Sequence, residues 1–392
     1  MPIKNRFAEM QEEITGWRRH LHAHPELMFD VQETAAFVEA RLKEFGVDEI
    51  TPGIGRTGVV AVIKGRTDTK GRVVGLRADM DALPIEEITG LDYASTVPGK
   101  MHACGHDGHT AMLLGAAKYL AETRNFDGTA VMIFQPAEEG GGGGKEMCDD
   151  GMMDRWNIQE VYGMHNAPGL AVGQFAIRPG ALMASADEFE IEVTGKGGHA
   201  AEPQAAVDTT LVAAQILVSL QSIVARNVKP IERVVLTVGT LETDSNASNV
   251  IAHKVRMKGT VRTLDNDNRA LVEQRIREVA THTALAFGAT AEVTWENGYP
   301  VTVNHEAETA FAIEAAQAVA GEANVDPDVD PIMPAEDFSF MLEERPGAYI
   351  HLGNGDSAQC HHPAYNFEDE AIPFGSSWYA EMIERRMPVK DV

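Results

Sequence analysis

Four short segments of the sequence combine histidine, cysteine or acidic residues with small residues, a composition typical of metal sites in loops. The first is CGHDGH, in which Cys104 and His106 lie two residues apart, just before a helical pattern. A thiolate and an imidazole at this spacing can point into one cavity, and a metal ion would keep the thiol deprotonated. A buried cysteine beside a helix-capping Asp107 explains the same residues equally well.

The second segment, QPAEEGGGGG, places Glu138 and Glu139 directly after an apolar strand pattern. Adjacent residues of an extended chain point in opposite directions, so one carboxylate can bind a metal while the other meets a substrate. The dipeptide can therefore supply both a metal ligand and a general base. A solvated loop with two surface acids is an equally good interpretation of this segment alone.

The other two segments place histidines after further strand patterns. GMHNAPG contains His165, and CHHP contains His361 and His362. A single histidine at a strand end is more often structural. Together, however, one cysteine, three histidines and one glutamate are enough ligands for two ions that share a bridging water. Asp79 and Asp81, in RADMDALP, can orient a metal-bound imidazole.

A second group of polar residues comprises His199, Asn249 and Arg262, in the segments TGKGGHAAEP, SNV and GTVRT. Each lies on or beside a predicted strand. A neutral histidine, an amide and a guanidinium on one sheet edge could bind a carbonyl oxygen and a carboxylate. Exposed polar residues without a function are the simpler interpretation of these three from sequence alone.

The elements that must position the four metal-site segments alternate between helix and strand. We predict helices at residues 7–21, 34–45 and 109–121. We predict strands at residues 59–63, 73–76, 130–134 and 161–164. This alternation predicts an α/β sheet covered by helices, with its chemistry at the carboxyl ends of the strands.

From about Asp187 the pattern changes to β-α-β-β-α-β, the order of a ferredoxin-like α+β sandwich. A chain of 392 residues exceeds the size at which a single core stops growing. We therefore predict a catalytic domain in two parts, 1–184 and 298–392, interrupted by a satellite domain at 185–297.

Charge and cysteine content exclude several classes of partner. The chain has 33 basic and 59 acidic side chains, a net charge of −26, and such a surface repels nucleic acid and anionic lipid headgroups. Its three cysteines show no paired spacing, and no segment has the apolar run of a signal peptide or a membrane span. We expect a cytoplasmic protein with a small-molecule substrate.

The segments named above, together with RRHLHAHPEL, PAEDFSF and HHPAYNFEDE, resemble the aminoacylase and carboxypeptidase family of dinuclear metallohydrolases. Within that family the sequence is most similar to the hippurate hydrolase and auxin-amino-acid-conjugate hydrolase branch of amidohydrolases. The resemblance covers nearly the whole chain, with the segments in the right order. It implies an α/β catalytic domain with a central mixed sheet flanked by helices. It also implies an α+β ferredoxin-like satellite domain that forms a homodimer or higher homo-oligomer.

The resemblance also implies roles for individual residues. Cys104 would bridge two divalent ions, and the remaining ligands would be His106, Glu139, His165 and His361, the last selected over His362 by the pattern His-x-Pro. Glu138 would be the general base and His199 would stabilise the oxyanion, while Asn249 and Arg262 would hold the substrate carboxylate. Where the wider family has His-x-Asp, this sequence has Asp79-Met80-Asp81. Asp81 would therefore keep only an orienting role.

The implied reaction is hydrolysis of an N-acyl amino acid to a carboxylic acid and a free amino acid. A thiolate bridge is softer than the aspartate of the wider family, so zinc, manganese, nickel and cobalt all suit the site. A dipeptidase or aminopeptidase on the same metals is one alternative, but it needs an acidic group for the substrate ammonium, and none can be assigned. A non-catalytic metal-binding or ligand-binding protein is another, and Glu138, which no metal needs, argues against it.

Overall fold

A computed structural model describes residues 3–389, which form two compact units. The first unit contains the chain before residue 181, residues 303–330 and the chain after residue 336, and the second contains residues 181–302 and 331–336. The expected fold class is confirmed, since the first unit is an α/β domain and the second a smaller α+β domain. The second unit also takes in residues 331–336, which lie within the range that we predicted for the catalytic domain.

The helices and strands follow one another along the chain with short connections. The helices are α1 (Ile3–Ala23), α2 (Gln32–Phe45), α3 (His106–Thr123), α4 (Gly143–Asp149), α5 (Met152–Arg155), α6 (Thr209–Arg226), α7 (Asn266–Ala286), α8 (Glu306–Ala320), α9 (Phe338–Glu344) and α10 (Ile372–Arg386). The strands are β1 (Glu49–Ile54), β2 (Gly58–Lys64), β3 (Val73–Asp79), β4 (Thr129–Gln135), β5 (Glu160–Ala167), β6 (Phe175–Ala176), β7 (Gly180–Met183), β8 (Asp187–Thr194), β9 (Gly198–His199), β10 (Val234–Thr243), β11 (Val250–Ile251), β12 (Lys254–Thr263), β13 (Thr290–Asn297), β14 (Thr302–Asn304), β15 (Val325–Asp326) and β16 (Gly347–Gly353).

The catalytic domain is built on an eight-stranded mixed sheet with the order β1-β2-β4-β3-β5-β16-β6-β15. Its centre, β4-β3-β5-β16, is parallel. Every residue of β3 and β16 is buried, as expected for parallel strands that are covered on both faces. Because the carboxyl ends of parallel strands meet at one edge, the segments that follow these four strands converge there.

The two faces of this sheet differ in chemistry. One face carries apolar side chains such as Leu76, Met132 and Ile350, which join α1, α3 and α10 in the main hydrophobic core. The opposite face, reached by the alternate residues of the same strands, carries polar side chains near the carboxyl edge. Arg77 and His165 are examples, and the sheet therefore presents a polar face to the site.

The satellite domain is a four-stranded antiparallel sheet with the order β10-β12-β8-β13. Helices α6 and α7 pack on it and form a separate core around Ile191, Ile216 and Ile276. The short strands β9 and β11 form a small sheet of their own. This is the β-α-β-β-α-β order that the sequence predicts.

Helix α6 is apolar for a surface helix. Its 18 residues have a mean hydropathy of 1.3, which is enough by length and composition for a membrane span. Its buried residues, including Val212, Ile216 and Leu220, belong to the satellite core. The helix packs in that core through one face, while the opposite face exposes Leu211 and Val218.

Candidate metal centre and active site

Cys104 and His106 stand at the start of α3, at the carboxyl edge of the large sheet. Gly105 joins them in the left-handed region, with φ of 92°. A Cβ atom at this glycine would lie 2.3 Å from Nδ2 of Asn166, so no larger residue fits. The bend aims both side chains at His165 on β5, and the ligand atoms of the three residues lie within 4.8 Å of one another.

His165 has the protonation state that a metal ligand needs. Its Nδ1 donates a hydrogen bond to the carbonyl oxygen of Asn166 at 2.6 Å, which places the proton of the neutral ring on Nδ1. The bare Nε2 is left facing Sγ of Cys104 at 3.4 Å. A hydrogen bond of this kind fixes the ring and the tautomer of many metal-binding histidines.

Cys104 also belongs to a second group, with Glu139 and His361, whose ligand atoms again lie within 4.8 Å of one another. Nε2 of His361 is 3.3 Å from Oε1 of Glu139. Burial opposes ionisation of Glu139, but the hydrogen bond with His361 and the charges of the nearby imidazoles outweigh it and lower the pKa of the carboxyl. One thiol is thus shared by two candidate ligand sets, as a bridging ligand must be.

The structure separates the two adjacent histidines of the C-terminal segment. His361 has φ of 66°, and its amide donates to the carbonyl oxygen of Ala103 at 2.8 Å, which brings its ring to Glu139. The ring of His362 instead accepts a hydrogen bond from the amide of Ala364 at 3.0 Å. His362 is exposed and belongs to neither ligand group.

We therefore predict that His361→Ala loses one of the two metals and most of the activity, because the second group then has only Cys104 and Glu139. His362→Ala is the matched control, and it should keep both metals. Elemental analysis of the two purified variants checks this. Metal loss in His362→Ala but not in His361→Ala would reverse the assignment.

Asp81 anchors the Glu138–Glu139 dipeptide through the backbone. Its two carboxylate oxygens accept hydrogen bonds from the amide of Glu138 at 2.9 Å and from the amide of Glu139 at 3.1 Å. Oδ1 also lies 3.4 Å from Nδ1 of His106. Glu138 is 7% exposed, and its carboxylate lies within 4.8 Å of ligand atoms of His106 and Glu139. The position suits a general base beside a metal pair.

The donor set fits a pair of divalent cations. Both ring nitrogens of His106 are buried without a well-formed hydrogen bond, and so is Oε1 of Glu139. Nδ1 of His106 faces Asp81, whereas its Nε2 lies 3.9 Å from Oε1 of Glu139. Buried polar atoms almost always have a partner, so two unpartnered atoms that face each other across this distance indicate a ligand between them. The hydrogen bond with Cys360, together with burial, raises the pKa of the Cys104 thiol well above its usual value, and a bound cation would reverse that shift.

A buried network of hydrogen bonds supports the site, and of its members only Asp79 was given a role, that of orienting an imidazole, in the sequence analysis. Arg77, fully buried on β3, donates to Asp79 at 2.7 Å and to Asp337 at 2.9 Å. Asp79 in turn accepts from Nδ1 of His109 at 2.7 Å, and Nε2 of His109 accepts from the amide of Asn166 at 2.9 Å. Both ring nitrogens of His109 are thereby engaged, which argues against a role as a metal ligand. An arginine and an aspartate two residues apart in an apolar strand were the signal in the sequence.

The N-terminal segment RRHLHAHPEL supports α3 from the other side. Nδ1 of His22 donates to Asp107 at 2.8 Å, and Arg18 binds Asp369 through Nε at 2.7 Å. Burial lowers the pKa of His22, but its hydrogen bonds with Asp107 and Glu87 outweigh burial and raise it to about 9. Asp107 therefore holds His22 rather than capping α3, and this contact fixes the residue next to His106.

The satellite residues fall into two places. His199 on β9 pairs with Val250 on β11, and the carbonyl of Asn249 accepts from the amide of Ala200 at 3.0 Å, so His199 and Asn249 are neighbours. Arg262 lies on β12, eight residues beyond its first residue Lys254, which is about 26 Å of extended chain. We predicted all three on one sheet edge, but within one chain Arg262 lies at the opposite end of the four-stranded sheet.

The fold and the site define a class of hydrolase. The family model described as Peptidase family M20/M25/M40 matches residues 75–385, and the chain belongs to this family. The hippurate hydrolase of Campylobacter jejuni is 42% identical over 375 residues, covering 95% of this chain and 96% of that protein. The N-acetyl-L-cysteine deacetylase of Bacillus subtilis is 43% identical over 377 residues, covering 96% of this chain and 88% of that protein.

A solved structure matches the whole architecture. The crystal structure of the Bacillus subtilis YXEP protein, described as a dinuclear metal binding peptidase of the M20 family, superposes with a TM-score of 0.85 at 35% identity. The match covers 97% of this chain and 99% of that one. The family resemblance stated from the sequence is therefore confirmed.

Proposed function

We propose that this protein is a metal-dependent amidohydrolase that cleaves the amide bond of N-acyl amino acids, giving a carboxylic acid and a free amino acid. The similarity to a hippurate hydrolase and to a deacetylase of N-acetylcysteine supports this substrate class. The observation that carries the proposal is the pair of ligand groups that share Cys104, with the carboxylate of Glu138 beside them.

The chain's residues divide the reaction between them. Divalent cations held by the two groups would polarise the amide carbonyl and lower the pKa of the attacking water. Glu138 accepts the proton of that water as it attacks the carbonyl carbon, and then delivers it to the leaving nitrogen. The resemblance implies that His199 would stabilise the oxyanion, a role worth about 3–4 kcal/mol in other hydrolases. Asp81 fixes the backbone of Glu138 and Glu139 by accepting hydrogen bonds from their amides.

A direct assay tests this function. The purified enzyme is offered hippurate and a panel of N-acetyl amino acids, before and after removal of metal by a chelator, and release of the free amino acid is measured. We expect hydrolysis that the chelator abolishes and that zinc, manganese, nickel or cobalt restores. Absence of metal-dependent hydrolysis across the panel would overturn the proposal.

We also propose that the enzyme is a homodimer formed through the satellite domain. Strand β10 lies at the edge of its sheet, and residues 239–242 are exposed on both faces. Helix α6 adds Val218, which is 67% exposed. An open edge strand beside an exposed apolar helix face is a surface that proteins usually cover. In such a dimer, His199 and Asn249 of one chain could serve a site to which the second chain contributes its own Arg262.

The dimer prediction concerns Val218 and Leu241. A Val218→Glu/Leu241→Glu double variant should elute with the mass of one 42.5 kDa chain, whereas the wild type should show twice that mass. Leu285→Glu, at an exposed position on α7, is the control and should stay dimeric. Light scattering on a size-exclusion column gives the masses. A monomeric wild type would contradict the proposal, as would a double variant that remains a dimer.

Recognition of the substrate carboxylate gives a further prediction. A guanidinium that binds a carboxylate bidentately is worth about 1.5–3 kcal/mol per charged hydrogen bond. Replacing the substrate α-carboxylate by a carboxamide should therefore lower kcat/KM about ten- to several-hundredfold, and Arg262→Ala should abolish that difference. Arg256→Ala, on the same strand but paired with Glu192, is the control. If wild type and Arg262→Ala show the same ratio of kcat/KM for the carboxylate substrate to kcat/KM for its carboxamide, Arg262 does not bind the substrate carboxylate.

A cytoplasmic location fits the chemistry of the site. All three cysteines are free thiols, and Cys104 serves the site only in its reduced form. Free thiols persist in reducing compartments and are oxidised in secreted proteins. We therefore propose that the enzyme works in the cytoplasm on small-molecule substrates, with neither nucleic acid nor membrane as a partner.

A further inference from the structure

His351 is a buried histidine beside the metal site to which the mechanism gives no role. It lies on β16, and in the sheet register it is the partner of His165 on β5 and of Ala176 on β6. Register partners of neighbouring strands point their side chains to the same face, about 4.8 Å apart. His351 therefore stands next to a candidate metal ligand on the polar face of the sheet, while Ala176 fills little of the space on its other side.

The side chain of His351 is 8% exposed, yet it makes no hydrogen bond or ion pair with any residue of 3–389. The other polar residues in this row are all engaged. Gln135 accepts from Arg77 at 2.8 Å, Asp79 binds His109, and His165 faces Cys104. Neither ring nitrogen of His351 is among the fully buried unpartnered atoms of the described residues, so the ring still reaches water beside His165. A ring that has no protein partner can exchange that water for a polar group of the substrate.

The strand order places His351 on one particular side of the site. Glu138 follows β4, His165 ends β5 and His351 lies on β16, so the order β4-β3-β5-β16 puts Glu138 and His351 on opposite sides of His165. Glu138 must reach the leaving nitrogen, so the amino-acid part of the substrate lies on the Glu138 side. The acyl substituent on the other side of the amide carbon then extends past His165 towards β16.

We propose that His351 binds a polar group on the acyl part of the substrate and makes the enzyme prefer N-acyl amino acids whose acyl group carries a hydrogen-bonding substituent such as a hydroxyl. This assignment rests on the proposed function and specifies its substrate class. An imidazole offers both a donor and an acceptor, so it can meet a hydroxyl in either sense. A site with a polar group left unpaired also rejects the apolar analogue of its substrate.

The test compares acyl groups that differ by a hydroxyl in place of a methyl, on one constant amino acid. The first pair is an N-glycolyl and an N-propionyl amino acid. The second pair is an N-(hydroxybenzoyl) and an N-(methylbenzoyl) amino acid, each tested with the substituent at every position of the ring. In the wild type we expect at least one hydroxyl compound to exceed its methyl partner about tenfold in kcat/KM, the effect of one well-placed hydrogen bond. His351→Phe should bring that ratio close to one, and His351→Gln should restore part of it.

Three further measurements keep the outcomes distinct. Metal content should be unchanged in His351→Phe, and the ratio between two amino acids on one acyl group should also stay the same. His282→Phe, at an exposed position on α7, is the control for a histidine-to-phenylalanine change. The assignment is overturned if His351→Phe keeps the wild-type ratio of kcat/KM between the hydroxyl and methyl compounds. It is also overturned if the variant changes only the ratio between the two amino acids on one acyl group. A wild type that hydrolyses no compound overturns the proposed function and this assignment together.

Discussion

Glu138→Gln is expected to keep both metals and to lose about 10²–10⁴-fold or more in kcat, the usual share of general acid–base catalysis. The amide keeps the size of the side chain and its backbone anchor at Asp81, but it cannot accept the proton of the attacking water. Glu138 is absent from both groups that share Cys104, so with the ligand set that we propose metal binding does not need it. Elemental analysis together with kcat measured on a good N-acyl amino acid checks both parts.

Glu139→Gln is the matched comparison, because it makes the same chemical change one residue away. Its carboxylate belongs to the group with Cys104 and His361, so the amide should lower metal occupancy first and activity as a consequence. Excess metal should restore part of the activity of Glu139→Gln and none of that of Glu138→Gln. Equal metal loss in the two variants would show that the adjacent acids do not divide the work in this way.

Cys104→Ala is expected to empty both metal positions and to abolish activity. The thiol is the only residue common to the two ligand groups, so its removal leaves two ligands at each position and no protein bridge between them. Metal-to-protein ratios after dialysis should fall at both positions in parallel, and added metal should not restore turnover.

Two variants make this result specific. Cys148→Ala changes a cysteine on α4 that belongs to neither group, and it should retain metal and activity. Cys104→Asp introduces the bridging carboxylate of the wider family, and it should bind metal again, with a preference shifted towards harder cations. Full metal and full activity in Cys104→Ala would return the residue to the role of an ordinary buried cysteine.

Much of the candidate site can be predicted from the sequence because its residues follow recognisable strands. Glu139 and His165 come directly after apolar runs, and parallel strands end at a common edge, so proximity follows from the fold class. The choice between His361 and His362 is of another kind. The pattern His-x-Pro of the resemblance favours His361, but the physical basis of the choice is a positive φ at His361 and a hydrogen bond from Ala364 to the ring of His362, which the residue types alone do not reveal.

Long-range partners are the other part that the sequence leaves open. From the sequence, Arg77 is only a polar residue within an apolar strand. The structure shows that it binds Asp337, which lies 260 residues later in the chain. Likewise, we placed His199, Asn249 and Arg262 on or beside predicted strands, but the pairing of the short strands β9 and β11, which we did not predict, brings His199 and Asn249 together and leaves Arg262 apart. Local composition predicts elements, whereas pairing and register depend on contacts between distant segments.

The position of β16 has a consequence for how the enzyme matures. This strand lies between β5 and β6, both of which precede the satellite domain in the chain, and the candidate ligand His361 follows it. During synthesis the ribosome releases Cys104, His106, Glu139 and His165 long before the strand that completes the sheet emerges. Until then the chain lacks both the strand that lies between β5 and β6 and one residue of the second ligand group. With His361 as the ligand that we propose, the complete second ligand group would exist only after residue 361 has been synthesised, so binding of both metals would come late in the synthesis of the chain.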